Sequence, residues 1–228
     1  MKYDAVIFDL GGTLIQETTW AEKIDVVRQI ASTLSIPFDD FLNVWHNSFN
    51  EHMKGARNSG QAFIRYICEQ LEVDIEDEDR IDIAADILSE NSKKHVMRPR
   101  QDALEVLQYL KSHNYKTGLI SNCNNDVPEV WNDTPFAPLI DVTIFSCSEG
   151  LMKPDPRIYR LALERMSVKP EKCLYIADGI SNELATASEL GMHAIMLSMP
   201  GENENEPYRE DWDGPVVSSL TEIISLLE

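Results

Sequence analysis

Short apolar runs separated by amphipathic stretches recur along this chain and limit the folds that it can adopt. Five runs have the composition of buried strands: residues 5–8, 117–120, 142–145, 173–177 and 193–197. Helical patterns lie between the later runs, at 102–111, 156–165 and 182–190. Strands that alternate with helices favour a parallel sheet covered on both faces. The sequence therefore predicts an α/β fold with a Rossmann-like parallel sheet, closed by an edge strand at 215–217 and a helix at 218–227.

One long interval, from about residue 15 to residue 96, breaks this alternation. It contains only helical patterns, at 20–34, 38–53, 61–71 and 80–95, and no strand candidate. A loop at 54–60, rich in Gly, Asn and Ser, interrupts it near the middle. We therefore expect an all-helical domain, residues 15–96, inserted into a core formed by residues 1–14 and 97–228.

Charge and composition argue against several classes of partner. Among 228 residues, 39 acids outnumber 20 bases, which gives a formal net charge of −19. Such a field repels nucleic acids and anionic membranes, so neither is an expected partner, and any phosphate site must carry its own positive charge. No apolar run approaches the ~20 residues that span a bilayer, and the run after the N-terminus is too short for a signal-peptide core. Four cysteines without a Cys-x-x-Cys pair fit a reducing compartment, so a soluble cytoplasmic protein is the expectation.

Residues with useful chemistry follow four of the predicted strands. Asp9 follows the first, Ser121 and Asn122 the second, Lys153 the third and Asp178 the fourth. The carboxyl ends of parallel strands lie along one edge of a sheet, and ligands bind at that edge in such folds. Two carboxylates suit Mg²⁺, whereas a hydroxyl, backbone amides and an ammonium suit a phosphoryl group. Each residue also has an ordinary structural interpretation, as a turn or cap residue or, for Lys153, as a surface lysine.

Four motifs in this order resemble those of the haloacid dehalogenase superfamily of hydrolases, in the subclass with a helical cap inserted after the first motif. They are an Asp-x-Asp-x-Thr segment, a strand-ending Ser, a Lys before a helix and an acidic strand end. The matching residues are, in that order, Asp9, Gly11 and Thr13, then Ser121, Lys153 and Asp178. Any one motif is weak evidence, but four in order with the helical insertion in place are specific. The motifs cover residues 1–14 and 97–228, and the cap matches by position and helix content.

The resemblance implies a phosphatase-type mechanism that begins on Asp9. This carboxylate would attack phosphorus and form an aspartyl-phosphate. Mg²⁺ would bind Asp9, the backbone carbonyl of Gly11 and Asp178, while Thr13 would hydrogen-bond within its loop. Glu183 would either reach a metal-bound water or lie in the first turn of a helix as an acid that complements the helix dipole.

The resemblance also implies a small phosphorylated metabolite as the substrate. Ser121 and the Asn122 amide would hold a phosphoryl oxygen, and Lys153 would neutralise charge and orient the nucleophile. In the loop of the cap, Arg57 and Lys54 are candidate contacts for an anionic substrate tail. The alternative for these two bases is a solvated position on the loop.

Gly11 stands where family phosphatases generally have a second aspartate, which protonates the leaving group and later activates water. Such acid–base help is worth roughly 10²–10⁴ in rate, or about 3–5.5 kcal/mol of barrier. One function compatible with its loss is a phosphatase whose leaving group needs little protonation, or whose acid comes from the cap or the substrate. A second is a phosphonate hydrolase, for which Lys54 is a conceivable Schiff-base lysine, or a 2-haloacid dehalogenase. Dehalogenases, however, have no use for Mg²⁺ and typically lack an acid such as Asp178. A third is a weakly active protein that binds a phosphorylated ligand.

Overall fold

A six-stranded parallel sheet forms the centre of the computed structural model, which describes residues 2–16, 18–74, 77–199 and 209–227. The strand order is β3-β2-β1-β4-β5-β6, and each neighbouring pair is parallel. The strands are β1 Ala5–Phe8, β2 Lys116–Ser121, β3 Val142–Phe145, β4 Cys173–Ala177, β5 His193–Leu197 and β6 Val216–Val217. The predicted α/β fold with a Rossmann-like sheet is confirmed.

The register of the central strands brings the predicted site residues to one edge of the sheet. All four residues of β1 are buried, as expected for a parallel strand that is covered on both faces. Phe8 at its end pairs with Leu119 on β2 and with Ile176 on β4. The residues that follow these three positions therefore lie side by side at the carboxyl edge of the sheet.

Helices cover both faces of the sheet, and others lie outside it. The bounds of all the described helices are α1 Trp20–Leu34, α2 Phe38–Met53, α3 Gly60–Gln70, α4 Glu78–Val96, α5 Ala103–Ser112, α6 Asp126–Val130, α7 Ser146–Glu149, α8 Pro156–Met166, α9 Glu183–Glu189 and α10 Glu222–Leu227. Short 3₁₀ helices lie at Trp131–Asp133, Ala137–Leu139 and Pro170–Lys172. Apolar residues of α5 and α10 pack on one face of the sheet, and those of α8 and α9 pack on the other. This arrangement gives the sheet two separate hydrophobic layers.

The helices α1–α4, here called the helical segment, have a hydrophobic core of their own. It includes Ile30 and Leu34 of α1, Phe41 of α2 and Phe63 of α3. Helix α1 begins at a capping box, in which the Thr19 hydroxyl accepts from the Glu22 amide and the Glu22 carboxylate accepts from the Thr19 amide. The described residues between β1 and β2 contain helices and no strand, which is consistent with the predicted helical insertion. The division of the chain into a core and an inserted domain stays a prediction.

Two short connections join the helical segment to the sheet, and they run side by side. The amide of Gln16 donates to the carbonyl of Arg98 at 3.4 Å, and the amide of Arg100 donates to the carbonyl of Leu14 at 2.9 Å. These bonds lie close to the predicted boundaries at residues 14/15 and 96/97, which stay a prediction. Among the described helices, none combines the length and the apolar character that a membrane span requires.

Candidate active site

The carboxyl edge of the sheet holds four charged or polar residues that the sequence pointed to. Asp9 directly follows β1, Ser121 ends β2 and Asp178 directly follows β4. Lys153 lies between α7 and α8. None of these four residues is more than 6% exposed. Buried charges are stable only when they are paired and hydrogen-bonded, so the contacts among these side chains define the site.

Lys153 joins two carboxylates at the centre of the site. Its Nζ donates to Oδ1 of Asp9 and, at 2.6 Å, to Oε2 of Glu183. Burial lowers the pKa of Lys153, but the negative charges of Asp9 and Glu183 outweigh burial and hold this pKa above its ordinary value. The lysine is therefore a permanent ammonium at neutral pH, directed at the predicted nucleophile.

Glu183 is the first residue of α9 and is 1% exposed. The Tyr175 hydroxyl donates to its Oε2 at 2.8 Å, and the Tyr159 hydroxyl donates to its backbone carbonyl at 3.2 Å. Burial raises the pKa of Glu183 to about 7, although the ammonium of Lys153 opposes the shift. Glu183 thus lies in the first turn of a helix and within the carboxylate cluster, so both positions foreseen for it are compatible with the structure.

Three buried carboxylates form a group that suits a divalent cation. One oxygen each from Asp9, Asp178 and Glu183 lie within 4.8 Å of one another. The ammonium of Lys153 pairs with two of these acids, Asp9 and Glu183, so one buried positive charge accompanies a cluster of three acids. An all-oxygen, negatively charged donor set matches the preference of Mg²⁺. The residues present therefore fit the metal that the sequence pointed to.

Gly12 allows Asp178 to approach the loop after β1. Its φ is +69°, and a Cβ atom built there would lie 2.1 Å from Oδ2 of Asp178. Oδ1 of the same carboxylate accepts from the Ile180 amide at 3.0 Å, while Nη2 of Arg100 donates to the Gly12 carbonyl at 2.7 Å. A residue without a side chain is required here both for the backbone conformation and for the contact.

Asn122 holds the segment that carries Lys153. Its Oδ1 accepts from the Lys153 amide at 2.8 Å, and its Nδ2 donates to the Lys153 carbonyl at 3.0 Å. These two bonds position the lysine backbone opposite the end of β2. The expected contacts of Ser121 and of the Asn122 backbone amide with a phosphoryl oxygen remain predictions.

The loop after β1 differs in one respect from the expectation. Thr13 is fully buried, and its hydroxyl has no hydrogen-bond partner among the described residues, so the predicted bond within the loop is not observed. The carbonyl of Leu10 already accepts from the amides of Thr13, Leu14 and Ile15 at 3.0–3.3 Å. This carbonyl is therefore already occupied, and the buried hydroxyl of Thr13 is left for another partner. The metal contact expected of the Gly11 carbonyl stays a prediction.

A cavity of about 670 Å³ lies between the helical segment and the carboxyl edge of the sheet. Side chains of α1, α2 and α4 line one side of it. The other side includes Leu10 and Asn122, which are the neighbours in sequence of Asp9 and Ser121. The volume lies within the range of about 300–1,000 Å³ that is usual for small-molecule sites.

Arg57 and Lys54 do not belong to the described residues that line this cavity. The Arg57 guanidinium lies over the ring of Tyr66, 3.5 Å from its centroid. Lys54 forms an ion pair with Glu51 at 3.0 Å and is 38% exposed. The contact of Arg57 with a substrate tail stays a prediction, and the position of Lys54 resembles the solvated alternative.

The path of the loop after α2 accounts for these positions. Gly55 has a φ of +76°, and a Cβ atom there would lie 2.1 Å from the carbonyl oxygen of Cys147. The Ser146 hydroxyl also donates to the Met53 carbonyl at 2.6 Å. The loop therefore packs its backbone against α7 instead of extending its basic side chains into the cavity.

Sequence reasoning missed the roles of three buried polar residues. Tyr175 lies in a buried strand, where a tyrosine hydroxyl must find a partner, and this requirement could have revealed it. Arg100 is 4% exposed and binds the loop of Gly12. His52 is 2% exposed and shares the buried face of α2 with Phe41 and Trp45. The helical spacing of these positions is the sequence signal that could have revealed His52.

Fold and site together define an α/β enzyme whose buried acids, lysine and strand-end serine lie at the carboxyl edge of a parallel sheet beneath a helical insertion. The model of the haloacid dehalogenase-like hydrolase family matches residues 3–191. This chain therefore belongs to the haloacid dehalogenase-like hydrolases.

Individual relatives agree with this assignment. The chain is 25% identical over its whole length to a glyceraldehyde 3-phosphate phosphatase from Pyrococcus furiosus, of which the match covers 94%. It is 29% identical to the (S)-2-haloacid dehalogenase 4A of Burkholderia cepacia over 55% of this chain and 54% of the relative. A family enzyme of Bacteroides thetaiotaomicron, solved in complex with magnesium and inorganic phosphate, has a similar fold with a TM-score of 0.65. That structure is 21% identical and covers 91% of this chain and 100% of its own.

Proposed function

We propose that this protein is a Mg²⁺-dependent phosphatase that hydrolyses a small phosphorylated metabolite through an aspartyl-phosphate on Asp9. The observation that carries the proposal is the buried cluster in which Lys153 binds Asp9 and Glu183, with Asp178 within reach of both acids. An ammonium and three carboxylates at the end of adjacent parallel strands can hold a metal ion and a phosphoryl group together. The full-length similarity to a glyceraldehyde 3-phosphate phosphatase supports the same reaction.

Each residue of the cluster has a defined task in this reaction. A carboxylate oxygen of Asp9 attacks phosphorus, the bond from phosphorus to the leaving oxygen breaks, and water then releases inorganic phosphate from Asp9. Lys153 orients the nucleophile and balances charge on the phosphoryl oxygens. Asp9, Asp178 and the Gly11 carbonyl would hold the Mg²⁺, and Glu183 belongs to the same group of acids. When bound, the metal would neutralise negative charge on the phosphoryl group.

Two further residues are proposed to receive the phosphoryl group. Ser121 ends β2 beside the nucleophile and is 3% exposed, and the backbone amide of Asn122 follows it. The unpartnered hydroxyl of Thr13 is a third hydrogen-bonding group on the same edge. A buried polar group without a partner costs free energy, and a phosphoryl oxygen would remove that cost.

The glycine at position 11 restricts the leaving group. With no carboxylic acid there, the leaving oxygen departs without the usual proton donor, which disfavours simple alkyl phosphates by up to roughly 10²–10⁴ in rate. Acyl, aryl and anomeric sugar phosphates have leaving groups that need less protonation. We therefore expect activity to rise steeply as the leaving group becomes more acidic.

The dehalogenase alternative keeps some support from the similarity to the Burkholderia cepacia enzyme. The buried Asp178 favours phosphoryl transfer, because it belongs to a group of acids suited to a metal that haloacid chemistry does not need. Phosphonate hydrolysis through a Schiff base on Lys54 has less support, because that lysine pairs with Glu51 at the surface.

A panel of phosphate esters assayed with and without Mg²⁺ tests the proposal. Acetyl phosphate and phenyl phosphate should be hydrolysed only with the metal, and Asp9→Asn should abolish the activity. Asp4→Asn is the matched control, since Asp4 is exposed at the opposite, amino end of β1. Activity without metal, or activity that survives Asp9→Asn, would refute the proposed mechanism. Halide release from a 2-haloacid without metal would support the dehalogenase instead.

A further inference from the structure

The wall of the cavity beside the candidate active site is mostly apolar and aromatic. Six of the apolar side chains that the helical segment contributes are Trp20, Ile24, Leu42, Trp45, Phe49 and Leu88. Trp20 is 46% exposed and Phe49 is 38% exposed, although both are large apolar residues. Exposed aromatic side chains that border a cavity mark a place where an apolar ligand is bound.

Charged groups are scarce in the same wall. Lys23 is the single Lys, Arg, Asp or Glu side chain among the described residues that line the cavity. In a chain of net charge −19, this scarcity shows that the cavity is a local exception to a strongly acidic surface. A ligand with a second phosphate or carboxylate would find one lysine and no arginine among the described residues of this wall.

Many of the polar side chains in the wall already bind other protein groups. Thr18 bonds to His95 at 2.9 Å, and Asn124 donates to Ser92 at 3.2 Å. Asn122 is engaged with the backbone of Lys153. A short polyol that hydrogen-bonded to these side chains would have to compete with such bonds, whereas an apolar body would leave them intact.

His52 is different from these paired groups. It is 2% exposed and lines the cavity, and among the residues that the structure describes neither of its ring nitrogens has a hydrogen bond of good geometry, although the backbone of Arg57 is near the ring. Its ring stacks on Phe63 with centroids 4.0 Å apart and an interplanar angle of 2°. One face of the imidazole is therefore covered, and its nitrogens are left for a polar atom of a bound molecule.

We propose that the cavity receives the aromatic leaving group of an aryl phosphate and that His52 hydrogen-bonds to a polar atom of that group. This inference rests on the proposed phosphatase function and adds the class of substrate to it. An aryl group stacks on tryptophan and phenylalanine rings, and it also leaves as a phenolate of pKa about 10, the value of a tyrosine side chain. The apolar wall and the glycine at position 11 thus favour the same class of substrate for independent reasons.

Two aryl phosphates whose leaving groups differ in size but are similar in acidity distinguish the effect of binding in the cavity from the effect of leaving-group acidity. The ratio of kcat/KM for 1-naphthyl phosphate to that for phenyl phosphate should be about tenfold or more, because the second ring buries additional apolar area. In Phe49→Ser this ratio should fall severalfold. Ile83→Ser is the control, since Ile83 is 51% exposed on α4 and is not one of the residues that line the cavity.

The outcomes distinguish the two proposals. The aryl inference is overturned if the kcat/KM ratio is near one in the native protein, or if it is the same in Phe49→Ser as in Ile83→Ser. Turnover of acetyl phosphate would still support the phosphatase in that case. Absence of turnover on every ester overturns the phosphatase. Binding of 1-naphthol, measured by quenching of tryptophan fluorescence, tests the aromatic site separately from turnover. Saturable quenching that Phe49→Ser weakens and Ile83→Ser does not supports the site, and unsaturable quenching overturns it.

Discussion

Replacing Gly12 with alanine should disrupt the site through one methyl group. The glycine has a φ of +69°, and the new Cβ would lie 2.1 Å from Oδ2 of Asp178, which is far inside van der Waals contact. Either the loop after β1 or the Asp178 carboxylate must move. An L-residue in the left-handed region costs about 1–2 kcal/mol, and forcing an extra carbon into a packed site costs about 1–3 kcal/mol more. The free energy of unfolding should therefore fall by about 2–5 kcal/mol.

Gly150 provides a control that separates these two costs. It has nearly the same backbone conformation, with a φ of +66°, but no atom lies within 4 Å of a Cβ built there. Gly150→Ala should carry the conformational cost of about 1–2 kcal/mol and no cost from a clash. The difference between the two variants, about 1–3 kcal/mol, measures the contact between position 12 and Asp178.

Urea unfolding of both variants, followed by tryptophan fluorescence, gives the two free energies. The same samples assayed with acetyl phosphate over a series of Mg²⁺ concentrations report on the site. Gly12→Ala should need more Mg²⁺ and lose at least about tenfold in kcat/KM, as expected when a metal-site support is displaced, whereas Gly150→Ala should keep both properties. Equal free energies of unfolding with equal activity in the two variants would refute the close approach of Asp178 to this loop.

Two further predictions concern position 11 and His52. Gly11 is not among the glycines with positive φ, so aspartate can adopt its backbone conformation. Gly11→Asp should raise the turnover of glycerol 3-phosphate more than that of acetyl phosphate, by at most roughly 10²–10⁴. An equal effect on both substrates would show that position 11 does not limit protonation of the leaving group. Burial, with the positive charge of Arg57, lowers the pKa of His52 from 6.5 to about 4. Because the pKa of His52 is lower in the folded than in the unfolded chain, the unfolded chain takes up the proton first as the pH falls. The free energy of unfolding should therefore decrease between pH 6.5 and pH 4, by about 3 kcal/mol in total. In His52→Gln the free energy of unfolding should depend less on pH over this window, and an unchanged acid dependence in urea unfolding would contradict the buried neutral imidazole.

The sheet and the helices were predictable because their patterns are local. A buried parallel strand is apolar throughout, so residues 5–8 and 173–177 were found with their observed bounds. The helices at 20–34 and 38–53 were also found with their observed bounds, since each has a clear apolar face. The last helix begins at Glu222 instead of residue 218, and the hydroxyl of Ser218 donates to the Glu222 carboxylate at 2.5 Å. The short α6 and α7 were missed, since one helical turn is too short to show periodicity.

The meeting of Asp9, Ser121 and Asp178 followed from topology, since parallel strands with right-handed connections bring their carboxyl ends to one edge. The pairing of side chains within the site did not follow, because it depends on contacts between elements that are distant in sequence. Lys153 and Glu183 are thirty residues apart, and the ion pair between them forms only when the fold brings the two segments together. The sequence could place both near the edge, but it left open whether Glu183 belongs to the site or to the helix end.

Tyr175 explains how Glu183 can do both. A carboxylate buried to 1% exposure at the start of α9 needs partners on more than one side. The hydroxyl of Tyr175 supplies one at 2.8 Å from within the sheet, and Lys153 supplies the other at 2.6 Å from the loop before α8. The tyrosine thus holds the glutamate at the lysine, and the lysine in turn reaches Asp9. A buried tyrosine in a central strand is therefore part of the support that directs an ammonium at the candidate nucleophile, and any account of the site that stops at the four strand-end motifs omits it.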